Sequence, residues 1–391
     1  MLMSLALILV VGIVLGHVLK KIKLPELLGM LVAGIILGPY VLNWIDSSIL
    51  DISEELRQIA LIIILTRAGL NLDFADLKKV GRPAILLCFI PASIEIIGFL
   101  IFGPLLLKLS VLDSAILGTV IAAVSPAVVV PRMLKLIEQG YGTKKGIPQM
   151  IMAAGSVDDV FVIVLFTAIT GIAQGGEFST GSLAVIPISI IIGILIGLLT
   201  GVLVSYLFSK VHLRDSEKVL VLLAISFAYV TIEKMLTNIL PFSGLLAIMA
   251  MGMMIQYRNR TVAVRVSSKY SKLWVFAEIL LFVLVGATVD ISYILQGGIT
   301  AILLLGITTV FRCIGTLLCV WNTPLNRKEK VFTAIAYIPK ATVQAAIGGL
   351  PLAMGLACGN QVLMVAVLAI LVLAPIGAKL IDYSYQSLLS K

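Results

Sequence analysis

The sequence predicts an all-α polytopic membrane protein, and three observations lead there. Of 391 residues, 60% are hydrophobic and only 13% charged, and mean hydropathy is +1.14, well outside the soluble globular range. Apolar runs long enough to cross a bilayer recur along the whole chain. Lysines and arginines gather in every second connection between them. We read thirteen hydrophobic segments, at about 2–19, 24–45, 55–72, 84–107, 112–137, 148–173, 182–208, 217–236, 241–257, 272–290, 299–321, 329–355 and 360–385. The first lacks a basic leader and a small-residue cleavage site, so it is expected to be a retained helix.

The basic connections hold Lys20, Lys21 and Lys23, then Lys78, Lys79 and Arg82, then Arg132, Lys135, Lys144 and Lys145. The alternation continues to Lys379 and Lys391, whereas the 174–181 and 291–298 connections carry no lysine or arginine. The charge bias predicts an external N-terminus and a cytoplasmic C-terminus, which an odd number of helices satisfies. It also accounts for the net charge of +9 without a nucleic-acid partner. The basic 256–272 loop reads as a cytoplasmic surface, with anionic lipid as a candidate partner that nothing in its sequence specifies. The four cysteines follow neither metal nor disulfide spacing. With His17 and His212 alone, a histidine cluster cannot sense pH, and no cofactor is expected.

An internal repeat organises the segments. Gly69 and Asp73 end the third, Gly286 and Asp290 the tenth, and the embedded charges Glu95 and Arg312 lie in the fourth and eleventh. All three pairs are 217 residues apart. The spacing predicts two six-helix repeats joined by the 182–208 helix. A single linking helix inverts the second repeat, an architecture used by secondary transporters.

The stretch from Met152 to Phe161 holds the adjacent carboxylates Asp158 and Asp159 in an otherwise uncharged apolar run. At 1.5 Å per residue they reach roughly the bilayer midplane. A carboxylate there costs about 2.5–3.5 kcal/mol. One would suffice for a salt bridge; two suggest a site that takes up and releases a cation. Segments five and twelve, in matching places of the repeats, carry Pro126 and Pro339 at mid-length. Each proline removes a backbone donor and disfavours helix at the residue before it. A pair of discontinuous helices at a midplane ion site follows.

Five charges are expected to face the bundle interior: Glu95, Asp158, Asp159, Arg312 and Lys340. Neighbours on a helix point about 100° apart, so Asp159 is expected to face a water-filled funnel and bind the cation. Asp158 is expected to turn towards Lys340, while Glu95 and Arg312 form a salt bridge bracing the breaks. Arg67 and Glu278 have no assigned partners.

Several of these stretches resemble the NHA subfamily of monovalent cation:proton antiporters. They are Ala-Val-Ser-Pro-Ala-Val-Val-Val-Pro ending at Pro131, Gly140-Tyr-Gly, Met152-Ala-Ala-Gly-Ser-Val-Asp-Asp, and Tyr337-Ile-Pro-Lys-Ala-Thr-Val-Gln-Ala-Ala-Ile-Gly. The resemblance implies a homodimer with a dimerisation domain (1–80 and 217–295), a mobile core (84–173 and 299–391) and a linker helix (182–208). In the core the two discontinuous helices would cross. It implies Asp159 as the ion-binding carboxylate, with Asp158 before it and Ser125 in the crossing, and Glu95 with Arg312 as a buried pair. Two departures stand out. Val124-Ser125-Pro126 replaces the Thr-Asp-Pro of many members, and electrogenic bacterial relatives carry lysine where Arg312 stands.

The expected activity is exchange of Na⁺ or Li⁺ for H⁺ by alternating access, one-for-one and electroneutral because arginine keeps its proton, in a bacterial-type plasma membrane. No enzyme activity is expected. Two alternatives belong to other classes. A sodium-coupled organic-solute symporter would need a large polar cavity. An intramembrane aspartyl protease would need its aspartates on separate helices converging on one water.

Overall fold

The computed structural model describes residues 1–72, 81–174, 180–236 and 242–391. Asp73, Lys78, Lys79 and most of the 174–181 connection lie outside them. The described residues are helical, without strands. In chain order the helices begin with α1 (Leu2–Lys21), α2 (Glu26–Leu37), α3 (Ser47–Asp51), α4 (Ser53–Asn71), α5 (Arg82–Leu87) and α6 (Ile90–Leu107). After these come α7 (Val111–Ile121), α8 (Pro126–Gln139), α9 (Ile147–Gln174) and α10 (Thr180–Lys210). The remainder is α11 (Asp215–Leu236), α12 (Gly244–Arg258), α13 (Arg260–Ala287), α14 (Ile291–Cys319), α15 (Arg327–Ala336), α16 (Thr342–Ile347), α17 (Leu350–Ala353) and α18 (Gly359–Leu388).

Helix starts follow local chemistry. Ser110 and Asp290 accept hydrogen bonds from Asp113 N and Ser292 N, capping α7 and α14. Asn326 and Glu329 form a reciprocal capping box on α15. Among the described residues, eight helices are long and apolar enough to cross a membrane: α1, α9, α13, α18, the α5–α6 and α7–α8 stretches, and most of α10 and α14. The thirteen-segment count exceeds this. Some coinciding helices are too short or too polar by the same measure; α2, for example, has only 12 residues.

The chain divides into two compact units. The first comprises Met1–Glu54, Ala75–Phe166 and Ile279–Lys391. Within it, Gly34 lets α2 lie against the Val283 carbonyl of α13, and Gly286 receives the Leu31 carbonyl. A Cβ at either position would overlap backbone, so glycine sets the helix separation.

The second unit comprises Glu55–Phe74 and Thr167–Glu278. Here Gly193, Gly197 and Gly201, spaced four apart on α10, face the carbonyls of Ser243, Ala247 and Met251. Gly69 meets Met249 O and Gly252. Arg67 interacts electrostatically with Glu278, a partnership that sequence could not assign because 211 residues separate the two. Ser267 Oγ donates to Asn71 Oδ1 at 2.6 Å.

Candidate functional site

Pro126 occupies the first turn of α8, where its missing N–H costs nothing. Ser125 before it is extended (φ −87°, ψ 109°), as the proline ring requires. The helix is therefore interrupted between Ile121 and Pro126. A second interruption separates Ala336 from Thr342 around Pro339. The two breaks meet: Ser125 N donates to Pro339 O at 2.8 Å. Gly377 on α18 makes room for Pro339, since a Cβ there would lie 2.6 Å from the ring.

Breaking a helix strands carbonyls at the end of its first half, where the dipole is negative. Gln344 Nε2 donates to Ile121 O and Ala123 O, both at 3.0 Å. Arg312 serves both breaks. Its Nε donates to Tyr337 O at 2.7 Å, and one terminal nitrogen donates to Ala122 O. The same nitrogen reaches Glu95 Oε2 at 2.9 Å, and the other reaches Asp158 Oδ2 at 2.7 Å. The guanidinium also lies over the Tyr337 ring, 5.3 Å from its centroid. A rigid fork with five donors suits this place; an ammonium could not span it.

The pairing departs from the sequence reading at one point. Asp158 does not turn to Lys340: it is held by Arg312 and by Val124 N at 2.8 Å. Lys340 Nζ instead pairs with Glu95 Oε2 at 2.6 Å. The reason is geometric, because Arg312 reaches both carboxylates and leaves the shorter lysine to share Glu95. The expected Glu95–Arg312 contact is present at 2.9 Å.

Asp159 differs from the rest of the cluster. Glu95, Asp158, Arg312 and Lys340 are 0% exposed, whereas Asp159 is 9% exposed. Among the described residues its side chain has no hydrogen bond or ion pair, and its Oδ1 is buried without a partner. Other unpartnered buried oxygens belong to the breaks and their surroundings: Asp158 Oδ1, Ser125 Oγ, Thr342 Oγ1 and Gln344 Oε1. Oxygen donors of this kind suit hard monovalent cations. No three His, Cys, Asp or Glu side chains gather into a metal site among the described residues.

The sequence pattern of the transmembrane sodium/hydrogen exchanger family matches residues 5–381. The chain belongs to that family. Sodium/hydrogen exchanger 9B2 of Mus musculus is 36% identical, over 94% of this chain and 69% of its own length. The Homo sapiens protein of the same name is 35% identical, over 96% and 73%. The chain also superimposes on the sodium proton antiporter MjNhaP1 from Methanocaldococcus jannaschii with a TM-score of 0.85. That match covers 100% of this chain and 99% of the other at 22% identity, so it is a likeness of fold.

The protein is thus an integral, multi-pass member of the sodium/hydrogen exchangers, a cation/proton antiporter family. Its relatives are transporters and not enzymes. Sequence reasoning singled out Glu95, Asp158, Asp159, Arg312 and Lys340. It missed Thr342 and Gln344 as contributors, although Thr342 stands 217 residues after Ser125, the same offset that separates Glu95 from Arg312.

Proposed function

We propose that this exchanger moves Na⁺ or Li⁺ against H⁺ by alternating access, with both species competing for Asp159 and its neighbour Asp158. One observation carries the reading: three buried carboxylates face two cations, and Asp159 is the carboxylate without a partner. With every group ionised the cluster carries one negative charge, which resists passage through a low-dielectric barrier. A single Na⁺ or a single proton brings it to neutrality and frees the core to move. Exchange is then one-for-one and electroneutral. Glu95 supports this by pairing with Lys340 at 2.6 Å through the oxygen it shares with Arg312. Ser125 Oγ and Thr342 Oγ1, with Asp158 Oδ1, complete the candidate oxygen ligands.

The wider architecture in this reading has thirteen membrane helices in two inverted six-helix repeats, with the N-terminus outside and the C-terminus cytoplasmic. The core is residues 84–173 and 299–391, the dimerisation domain 1–80 and 217–295, and the linker helix 182–208. Reciprocal close contacts support the repeat: Gly69 meets Gly252, and Gly286 meets Gly34. Each contact joins an element of one repeat to an element of the other.

The test is proton flux in proteoliposomes on adding Na⁺, with and without a potassium–valinomycin clamp, beside Asp159→Asn. Flux lost in the variant and indifferent to the clamp is expected. Flux that follows membrane potential would refute the one-for-one exchange. Full activity in Asp159→Asn would remove the site assignment.

A further inference from the structure

A pocket of about 420 Å³ opens in the first unit, where the start of α5 meets the end of α14. Arg82, Leu86, Leu318, Trp321, Asn322 and Thr323 line it. Trp321 is 75% exposed and Leu318 53%. Among the described residues the Arg82 guanidinium has no hydrogen-bond or ion-pair partner, and it is exposed.

Among the described residues, the way α15 begins leaves the charge at this rim uncompensated. The segment Arg327-Lys328-Glu329-Lys330 contains one acid, and that acid is turned inward and is 1% exposed. Its Oε2 accepts from Asn326 N in the capping box and from Lys145 Nζ at 2.7 Å. Lys330 Nζ is held at the pocket's turn by Trp321 O, 2.6 Å away. Arg82 and Lys330 therefore present positive charge there, with exposed Arg327 and Lys328 on the same short segment.

The pocket is continuous with apolar surface. Val310, Ile314 and Leu318, four apart on α14, are all exposed, as are Ile85 and Phe89 beside them in sequence to Arg82. A site for a soluble anion has no need of such a surface. An aromatic residue at the polar boundary, cations without an acidic partner among the described residues and an apolar stripe leading away from them are the three parts of a phospholipid site.

We propose that this pocket binds the headgroup of an anionic phospholipid. Arg82 and Lys330 hold the phosphate, Trp321 sits at headgroup level, and an acyl chain lies along Leu318, Ile314 and Val310. Phe89 stacks edge-on against Phe161 with centroids 5.2 Å apart, and Phe161 stands two residues beyond Asp159. Phe89 therefore touches the helix that carries Asp158 and Asp159.

The protein in detergent would be titrated with short-chain phosphatidylglycerol, short-chain phosphatidylcholine and inorganic phosphate, following thermal unfolding. The expected result is a rise in Tm of several degrees with phosphatidylglycerol that exceeds the rise with phosphatidylcholine. At least half of that excess should vanish in Arg82→Gln/Lys330→Gln, whose Tm without lipid stays near that of the parent. In vesicles, a small fraction of bromine-labelled phosphatidylglycerol should quench the protein more than labelled phosphatidylcholine, and Trp321→Phe should abolish the difference. Equal excess in the double variant, or no preference between the lipids, would overturn the proposal. An equal response to inorganic phosphate would overturn the lipid assignment. Should the double variant misfold, the quenching comparison decides alone.

Discussion

Glu95 carries two cations on one oxygen: Arg312 at 2.9 Å and Lys340 at 2.6 Å. Replacing it with glutamine leaves them unequal. Arg312 keeps Asp158 and two carbonyls, whereas Lys340 loses its ion-pair partner in a fully buried position. At 2.6 Å and an effective dielectric of 20, the Coulomb attraction is about 6 kcal/mol. Most of that offsets desolvation, and breaking a buried pair from one side costs about 3–5 kcal/mol. Glu95→Gln is therefore expected to be the more damaging single change. Lys340→Gln should cost less, about 1–3 kcal/mol, because Glu95 still has Arg312. In the double variant neither group is stranded by loss of the other, and a favourable coupling of about 1–3 kcal/mol should appear. Unfolding of the detergent-solubilised protein, run as a double-mutant cycle, reads this directly. The parallel cycle of Asp158→Asn with Lys340→Gln should show far weaker coupling. If the two cycles reversed, Lys340 would belong to Asp158 and the arrangement described above would be wrong.

Other outcomes follow from the same contacts. Asp159→Asn is expected to abolish sodium-driven proton flux while leaving thermal stability within about 1 kcal/mol of the parent, because the side chain has no bond to lose. Ser125→Ala and Thr342→Ala should raise the KM for Na⁺ with unfolding unchanged, since neither hydroxyl has a partner; an unchanged KM in both would remove them from the ligand set. Arg312→Lys keeps the charge but cannot reach Tyr337 O, Ala122 O, Glu95 and Asp158 together. Leaving two half-helix carbonyls unmet should lower stability by about 2–6 kcal/mol, seen as a fall in Tm along with lost flux. Gly197→Leu forces a side chain into the Ala247 carbonyl and should separate α10 from α12, which disulfide trapping of engineered cysteine pairs across that contact would report.

Much of the site was legible in the sequence because a membrane makes charge expensive. Glu95, Asp158, Asp159, Arg312 and Lys340 stand out against apolar surroundings, and the energetic cost of placing them there marks them as a group. Pro126 and Pro339 were legible for a related reason: proline's missing donor and fixed φ act wherever the residue stands. Thr342 and Gln344 escaped notice because a hydroxyl or amide in a membrane helix is ordinary until a broken backbone lies opposite. Arg67 and Glu278 stood out as charges, but no local rule links residues so far apart in sequence.

The sequence by itself therefore determined the class of protein, its helical character, the breaks and the identity of the buried charges. These depend on composition, periodicity and the local limits of the backbone. The tertiary structure decided who pairs with whom. Arg312 takes Asp158 because its fork must also meet Tyr337 O and Ala122 O across two breaks, and Lys340 is left with Glu95. Those distances arise only when residues as much as 245 positions apart are brought together, and they leave Asp159 as the carboxylate without a cation.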